Sequence, residues 1–481
     1  MALPPALMHP PMMAIGDSLY NGMRSATIDG QKTQGSPPAL IARSLGITSF
    51  SVPDLPRPVL VDLENWLERL SPIVGVPLAV ATIIGDLRES IRFWATGPAN
   101  VPSPSGARAF HNIAFAGATI EDMYQLTAEK ADACARELAA DALAGGGLKS
   151  LVANIGTLLI MANARFTLAP DPELSEANPF RRRTSLEIVA MRQPRRLLVS
   201  IGHNNGLVDI ALRADPAGAT HLANELEARY PELVRQLCAL PAAVEAIYVN
   251  LLPAPSAVSS LMPTSTNAFD TDLGRYFESY ETLMCYRYGT YRGERLHEID
   301  LEVQALNQRI IDLFKVRDTI GRVHFVDVFG RMKGIDSKNN GRNASNTFIV
   351  DGRTCTNEMF QANPLPGSLG FKAGGLEGLD GIHLTAVGNA LLARWVLEAI
   401  AEKEGVAITQ PALVTDSLIR NPPNAWSWAL FAYRDIMRAQ AGKPHNRSAL
   451  EVTAVQHSVD IAAKVMSRMS LTAGKPPEPG V

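Results

Sequence analysis

Two short segments near opposite ends of the chain carry side chains that could form a nucleophilic site. At 14–20 a short apolar run delivers Ser18 into a turn that starts at Gly16, and much later Asp380 and His383 stand three residues apart before a predicted helix. A serine hydroxyl is a weak nucleophile until an imidazole takes its proton, and the imidazole needs a carboxylate on its other nitrogen. Together the three side chains could perform acyl transfer.

Each segment also has a purely structural interpretation. Asp and Ser after Gly are common turn and N-cap residues, so 16–19 alone could be a strand followed by a capped turn. Asp380 alone could be a helix N-terminal signal, and His383 alone could be a turn histidine. The catalytic interpretation therefore depends on partners elsewhere in the chain.

Donors for a developing oxyanion follow two other predicted strands. The segment 111–119 places Gly117 just beyond a strand, where a backbone N–H can approach a ligand closely, and 200–206 offers the side-chain amide of Asn204. In doubly wound sheets, ligands bind outside the carboxyl ends of the strands, where Ser18 would also emerge. The order of the segments is therefore the one that the chemistry requires.

Short runs rich in apolar and β-branched residues are predicted to be the buried strands that carry these segments, at 12–15, 111–115, 196–201, 246–252 and 323–328. Helical patterns follow at 127–143, 219–240, 296–314 and 386–402. Strands that alternate with helices indicate a parallel sheet covered on both faces. We therefore expect an α/β fold, a doubly wound three-layer α/β/α domain with a flavodoxin-like, five-stranded parallel sheet.

Four blocks occur in a fixed order along the chain, namely Gly16-Asp17-Ser18-Leu19, 112–119, Gly202-His203-Asn204-Asn205 and Asp380-Gly381-Ile382-His383. In order and content they resemble the SGNH hydrolase family, the GDSL esterases and lipases. The resemblance implies Ser18 as nucleophile, His383 as general base and acid, and Asp380 as the carboxylate that orients the imidazole. It also implies an oxyanion hole formed by the N–H groups of Ser18 and Gly117 and the amide of Asn204, with no metal or organic cofactor.

Two positions depart from the family's pattern. Asn205 stands where the family usually has Asp, so a supporting carboxylate hydrogen bond is absent or replaced there. Ala114 replaces a common glycine of the second block, which changes the freedom of the backbone. Because the implied donors Gly117 and Asn204 are kept, the departures bear on rate rather than on the location of the site.

Three residues near the blocks have open roles. His203 is interpreted as a polar wall residue rather than a second base or metal ligand, because no cluster of other ligands accompanies it. Arg24, shortly after Ser18, could meet an anionic group of the substrate or simply solvate a helix. Tyr20 could line a pocket or pack in the core.

The pattern predicts one hydrolase domain at 1–404 and a helical extension at 405–481. The first two predicted strands are too far apart for a simple βα unit, which indicates an inserted helical subdomain at about 52–108. A second insertion is expected at about 144–192, and a long loop at about 330–379 would frame the substrate entrance. In the extension we expect helices at 426–438 and 448–469 and a disordered end at 474–481.

Composition argues against several classes of protein. The chain has 481 residues, of which 46% are hydrophobic and 19% charged, and its net charge of -3 gives no basic footprint for nucleic acid. The cysteines are far apart, which predicts buried free thiols rather than a zinc site or a disulfide framework. They are Cys134, Cys238, Cys285 and Cys355.

Two apolar stretches, 72–84 and 151–164, are shorter than the roughly 18 residues that a bilayer crossing requires. We interpret them as buried helices, with an apolar wall near the active site as the alternative. The N-terminal sequence lacks the pattern of a cleaved secretion signal, so a cytoplasmic location is expected.

The sequence therefore predicts a serine hydrolase that cleaves a small-molecule carboxylic ester, and its activity should fall when His383 is protonated. An acyltransferase with the same triad and a non-catalytic lipid- or glycan-binding module are the alternatives. Lipid, acetylated sugar and thioester substrates all stay open, because these folds host each of them. The oligomeric state is open as well.

Overall fold

The computed structural model describes residues 3, 5–60, 62, 64–65, 85–86, 88–94, 109–144, 155–171, 174, 176–215, 217–282, 290–341, 346–362 and 370–422. The predicted apolar helix at 72–84, most of the insertion at 52–108 and Cys285 lie outside these residues. The two helices and the disordered end predicted after residue 425 lie outside them too.

A parallel sheet of four strands forms the centre of the fold, in the spatial order β1 (Met12–Gly16), β2 (Arg196–Ser200), β3 (Ala246–Asn250) and β4 (Val323–Val326). The register pairs Met12 with Arg196 and Gly16 with Ser200, so the carboxyl ends of β1 and β2 lie side by side. Every residue of β1, β2 and β3 is buried. This explains why these strands appear in the sequence as continuous apolar runs rather than alternating ones.

The predicted second strand, 111–115, is present only as an extended segment beside β1. It adds one parallel bridge, between Ala14 and Asn112, rather than a strand. Backbone hydrogen bonds join the two segments, from Ala14 N to His111 O and from Ile113 N to Ala14 O, both at 2.9 Å. The segment is short because a turn interrupts it at Ala116–Gly117.

Helices cover both faces of the sheet. On one face, Met13 and Ile15 of β1 belong to the large apolar core that includes the helices Gly218–Cys238 and Gly293–Arg317. On the other face, Met12 and Ala14 pack with the helices Pro37–Ser44 and Ala386–Glu404. The alternation of side chains along a strand sends neighbouring residues to opposite faces, so a buried strand needs cover on both.

The predicted helices at 127–143, 219–240, 296–314 and 386–402 match observed helices, with ends that differ by at most three residues. The apolar stretch 151–164 is described from residue 155 and forms part of a buried helix, as predicted. The α-helices are Ser18–Asn21, Gly30–Gln34, Pro37–Ser44, Asp122–Gln125, Ala128–Ala144, Ile155–Leu168, Ser185–Arg192, Gly218–Cys238, Gly293–Arg317, Val328–Gly334, Ser337–Asn340, Ala386–Glu404 and Ser417–Arg420.

The prediction of a long loop at about 330–379 is wrong, because the described part of this segment has regular secondary structure. It contains two short helices and two small antiparallel hairpins, Phe348–Val350 with Arg353–Cys355 and Gln361–Ala362 with Phe371–Ala373. Its strands are two or three residues long, too short to give an alternating pattern in the sequence. Short strands between β3 and β4 escaped prediction for the same reason, namely Met262–Pro263, Ala268–Thr271, Gly274–Phe277, Ser279–Glu281 and Tyr291–Arg292.

Remaining short elements are the strand pair Thr27–Ile28 and Val59–Leu60, and single turns of helix at Pro5–Leu7, His203–Asn205, Asp209–Arg213 and Pro255–Ala257. Cys355 is a buried free thiol, whereas Cys134 and Cys238 are free thiols that are half-buried, so full burial was wrong for these two. Within the described ranges, no helix combines the length and the apolar character needed to cross a membrane.

Candidate active site

The structure joins Ser18, His383 and Asp380 in one series of hydrogen bonds. The Ser18 Oγ lies 2.9 Å from Nε2 of His383, and Nδ1 of His383 lies 2.8 Å from Oδ2 of Asp380. All three residues are buried, with exposed fractions of 6, 5 and 7%. Residues more than 350 positions apart therefore form the arrangement that a nucleophilic serine requires.

Local geometry delivers the serine from the end of β1. Gly16 has φ +145°, and a Cβ there would lie 2.0 Å from the carbonyl oxygen of Ser200, so this position requires glycine. Asp17 then caps the short helix that Ser18 begins, since its side chain accepts a hydrogen bond from Leu19 N at 3.2 Å. Ser18 is thus held at a helix N-terminus beside the end of β2.

Backbone N–H groups surround the carboxylate of Asp380. Oδ1 accepts hydrogen bonds from Ile382 N at 3.2 Å and His383 N at 3.0 Å, and Oδ2 accepts one from Ala26 N at 2.8 Å. Burial alone would raise the pKa of Asp380, but His383 and these hydrogen bonds outweigh it and hold the pKa below its ordinary value. Asp380 is therefore kept as a carboxylate facing Nδ1 of His383.

The Ala26 N–H comes from a strained turn. Arg24 and Thr27 exchange two backbone hydrogen bonds of 2.9 Å, which leaves Ser25 and Ala26 at the tip with φ of +50° and +57°. Non-glycine residues in this region cost roughly 1–3 kcal/mol each and persist where the surroundings hold them. Here Ser25 Oγ also accepts a hydrogen bond from Leu379 N at 3.0 Å, so the turn is fastened to the segment that carries Asp380.

Two carboxylates from distant segments hold Arg24 at the base of this turn. Its guanidinium pairs with Glu64 through two hydrogen bonds of 2.7 Å and with Asp416 Oδ2 at 2.7 Å. Burial would lower the pKa of Arg24, but Asp416 and Glu64 more than offset it and raise the pKa above its ordinary value. The same Asp416 oxygen accepts a hydrogen bond from Ala386 N at 2.9 Å, at the start of the helix after His383. Arg24 thus pairs with two carboxylates of the protein. The sequence suggested contact with an anionic group of the substrate or solvation of a helix, and neither role includes these partners.

The two predicted oxyanion donors lie on segments that are joined to each other near the turn at 16–19. Phe115 N donates to Gly16 O at 3.1 Å, so the segment of Gly117 borders this turn, and the amide of Asn204 donates to Ala118 O at 2.9 Å, one residue beyond Gly117. Gly117 has φ +74°, and a Cβ there would come within 2.7 Å of the Ile160 side chain. Glycine at this position allows the positive φ and the close approach of the helix Ile155–Leu168, which carries Ile160.

Asn205, the departure from the family's pattern, has its own partners. Its Oδ1 accepts a hydrogen bond from Ile120 N at 3.0 Å, the type of bond that a carboxylate would also accept. Its Nδ2 donates to Glu225 Oε2 at 3.3 Å. The supporting hydrogen bond is therefore replaced rather than lost, and an amide suits the position because a carboxylate would face Glu225.

His203 and Tyr20 have structural neighbours. Nδ1 of His203 lies 2.6 Å from Oδ2 of Asp17, and both side chains are buried beside Ser18. Tyr20 is fully buried in the core that covers one face of the sheet. His203 is thus a wall residue held by Asp17, as predicted, and Tyr20 belongs to the core.

An apolar pocket of about 90 Å³ opens beside Ser18 and His383. The segment that was predicted to be a loop supplies part of its wall, and other wall residues come from the helix Ala386–Glu404 and from 203–211, 253–258 and 382–384. The described part of the apolar stretch 151–164 does not line it, which leaves the buried-helix interpretation for that part. Wall residues include Leu207, Val208, Ala257, Val258, Val328, Met332, Ile335, Leu376, Ile382, Leu384, Leu391 and Trp395.

Sequence reasoning missed three contributors to the site: the Ser25–Ala26 turn, Asp416 and Glu377. The turn carries no glycine that would reveal its positive φ values, and Asp416 acts from the extension, 392 residues beyond Arg24. Glu377 lines the pocket three residues before Asp380, and no sequence pattern marks it.

Among the residues that the structure describes, no group of three or more His, Cys, Asp or Glu side chains is placed to hold a metal ion. Comparison of the chain with protein-family models, with curated proteins and with solved structures found no match.

Proposed function

We propose that this chain is a serine hydrolase that cleaves carboxylic esters through an acyl-enzyme on Ser18. The observation that carries the proposal is the hydrogen-bonded series from Ser18 through His383 to Asp380, with contacts of 2.9 and 2.8 Å. It lies at the wall of an apolar pocket, where a substrate chain can bind with its carbonyl near the hydroxyl.

In the proposed first step, Ser18 Oγ attacks the ester carbonyl carbon while His383 Nε2 takes the serine proton. The developing oxyanion is stabilised by the N–H groups of Ser18 and Gly117 and the side-chain amide of Asn204. When the C–O bond of the ester breaks, His383 gives its proton to the leaving alcohol.

Water then attacks the acyl-enzyme and loses a proton to His383, which returns it to Ser18 as the carboxylic acid leaves. Asp380 keeps the Nδ1–H of His383 directed at itself throughout and stabilises the imidazolium that forms twice per turnover. Because its carboxylate also accepts three backbone N–H groups, it holds the ring without itself needing to move.

The proposal also includes the strand order of the central sheet. If the extended segment 111–115 is counted as a strand, the strands stand in the spatial order second, first, third, fourth, fifth. This is the doubly wound, flavodoxin-like order, in which ligands bind at the carboxyl ends of the strands. Ser18, Gly117 and Asn204 each follow such an end.

The test compares Ser18→Ala with Ser44→Ala, a serine substitution in the helix Pro37–Ser44 away from the site. We expect Ser18→Ala to lose roughly four to six orders of magnitude of turnover on p-nitrophenyl butanoate, and to lose labelling by a fluorophosphonate probe. Ser44→Ala should keep both. A folded Ser18→Ala that hydrolyses the ester like the unaltered chain would refute the proposal, and product analysis with an added alcohol distinguishes hydrolysis from acyl transfer.

A further inference from the structure

The wall of the pocket beside Ser18 contains a carboxyl group that the proposed mechanism does not use, that of Glu377. Glu377 forms part of the pocket wall and is only 3% exposed. A carboxyl group in an apolar pocket is costly unless its oxygens find hydrogen-bond partners. Its surroundings therefore indicate what the pocket binds.

Two other polar wall residues outside the proposed triad have protein partners. His203 is bonded to Asp17 through Nδ1. The Asn357 Oδ1 accepts the backbone N–H groups of residues 337 and 338 at 2.8 and 3.1 Å, and its Nδ2 donates to Ala257 O at 2.8 Å. Both polar atoms of Asn357 are therefore occupied by protein partners.

Glu377 differs from Asn357 because only one of its two carboxyl oxygens has a partner among the described residues. Its Oε2 accepts a hydrogen bond from Ser259 N at 2.6 Å. Across the described ranges, no hydrogen bond reaches Oε1. A ligand that enters the pocket can therefore satisfy a carboxyl oxygen for which the described part of the protein provides no hydrogen bond.

The charges around Glu377 favour a neutral ligand group over a cation. The pKa of Glu377 is raised to about 7, because burial and the charge of Asp380 together outweigh the hydrogen bonds from Ser259 and the positive charge of Lys338, which lower it. A ligand ammonium would face Lys338, whereas a hydroxyl can donate to the carboxylate or accept from the carboxylic acid. A hydroxyl therefore fits both protonation states of Glu377.

We propose that Glu377 is a specificity-determining residue that selects esters whose pocket-bound chain is apolar and carries a hydroxyl group. A group the size of a water molecule needs about 10–15 Å³ of cavity volume, and a methylene group is of similar size. The pocket of about 90 Å³ therefore has room for a chain of about six carbons. The ester part of this inference rests on the proposed function, while recognition of the hydroxyl rests on the pocket alone.

Calorimetric titration of 1-hexanol and 1,6-hexanediol tests recognition without any turnover. The compared quantity is the ratio of the two dissociation constants, which cancels the shared apolar chain. We expect Glu377→Leu to shift this ratio about tenfold against the diol, the size of a hydrogen bond to a buried acidic group. Glu377→Gln, which keeps an acceptor and a donor, should shift it less than threefold, and Glu358→Gln, on the same segment but outside the pocket wall, should not shift it.

An unchanged ratio in Glu377→Leu would overturn the inference, as would the absence of measurable binding of either alcohol to the unaltered chain. A second readout is kcat/KM for p-nitrophenyl hexanoate and its 6-hydroxy counterpart, in which Glu377→Leu should lose the same preference. If the alcohols bind as expected but neither ester is hydrolysed, the proposed function fails while the pocket inference stands.

Discussion

Replacing Arg24 by Met tests whether the Arg24–Thr27 turn positions Asp380. The substitution keeps the bulk of the side chain but leaves Glu64 and Asp416 facing each other without a cation, and their side chains are only 15 and 10% exposed. Removing one partner of a buried ion pair typically costs about 3–5 kcal/mol of stability. The turn also stores strain at Ser25 and Ala26, which it can release once Arg24 no longer holds it.

When the turn relaxes, Asp380 loses the N–H of Ala26, which lies 2.8 Å from Oδ2. A hydrogen bond to a charged group contributes about 1.5–3 kcal/mol, so we expect kcat/KM on a p-nitrophenyl ester to fall roughly 10- to 100-fold. The acidic limb of the pH profile should also move to higher pH, because that N–H helps to keep the pKa of Asp380 below its ordinary value. Arg24→Lys, which keeps the charge but not the two-pronged contact with Glu64, should fall between Met and Arg.

Arg196→Met is the matched control. Arg196 forms an ion pair of similar burial with Glu404, with Nε at 2.6 Å from Oε1, but it starts β2 and so lies at the opposite end of the strand from Ser18. Both Met variants should lower the midpoint of thermal unfolding, and only Arg24→Met should lower kcat/KM and shift the pH profile. Equal activity in the two folded variants would refute a positioning role for Arg24.

Two further predictions concern charges near the site. Asn205→Asp should destabilise the fold by about 1–3 kcal/mol, because its carboxylate would face Glu225, whose Oε2 now lies 3.3 Å from Nδ2 of Asn205. In thermal unfolding, adding Glu225→Gln to Asn205→Asp should restore most of the lost stability. A gain no larger than the effect of Glu225→Gln on the unaltered chain would contradict this pairing. Glu377 binds a proton more tightly in the folded chain, where burial, with a smaller effect of Asp380, raises its pKa from 4.5 to about 7 despite Ser259 and Lys338. The free energy of unfolding should therefore fall as pH rises from about 4.5 to 7. In urea unfolding, Glu377→Gln should remove the part of this fall that Glu377 causes. An identical pH dependence of the free energy of unfolding in Glu377→Gln and the unaltered chain would count against the raised pKa.

The elements that the sequence predicted best are those whose signal is continuous along the chain. β1 and β2 are buried on both faces and appear as unbroken apolar runs, and the helix Ala386–Glu404 carries its start signal at Thr385. The hairpins between 346 and 373 have strands of two or three residues, too short for a period to show. Their positions are set by tertiary contacts rather than by local pattern.

The same distinction explains which parts of the candidate site were predictable. Ser18, Asp380 and His383 are recognisable because the proposed chemistry needs particular residue types at particular chain positions, and the structure brings them within hydrogen-bonding distance. Arg24 and Asp416 are ordinary surface-type residues in the sequence, and only folding shows that they pair.

Asp416 shows why the extension bears on the site. Its Oδ2 joins the guanidinium behind the Ser25–Ala26 turn to the N-terminus of the helix that follows His383. One carboxylate therefore contacts both segments whose relative position determines the distance from Asp380 to the imidazole. We infer that the unit that holds the candidate site together does not end at residue 404, the boundary expected from the sequence, and that it includes the chain through at least residue 420.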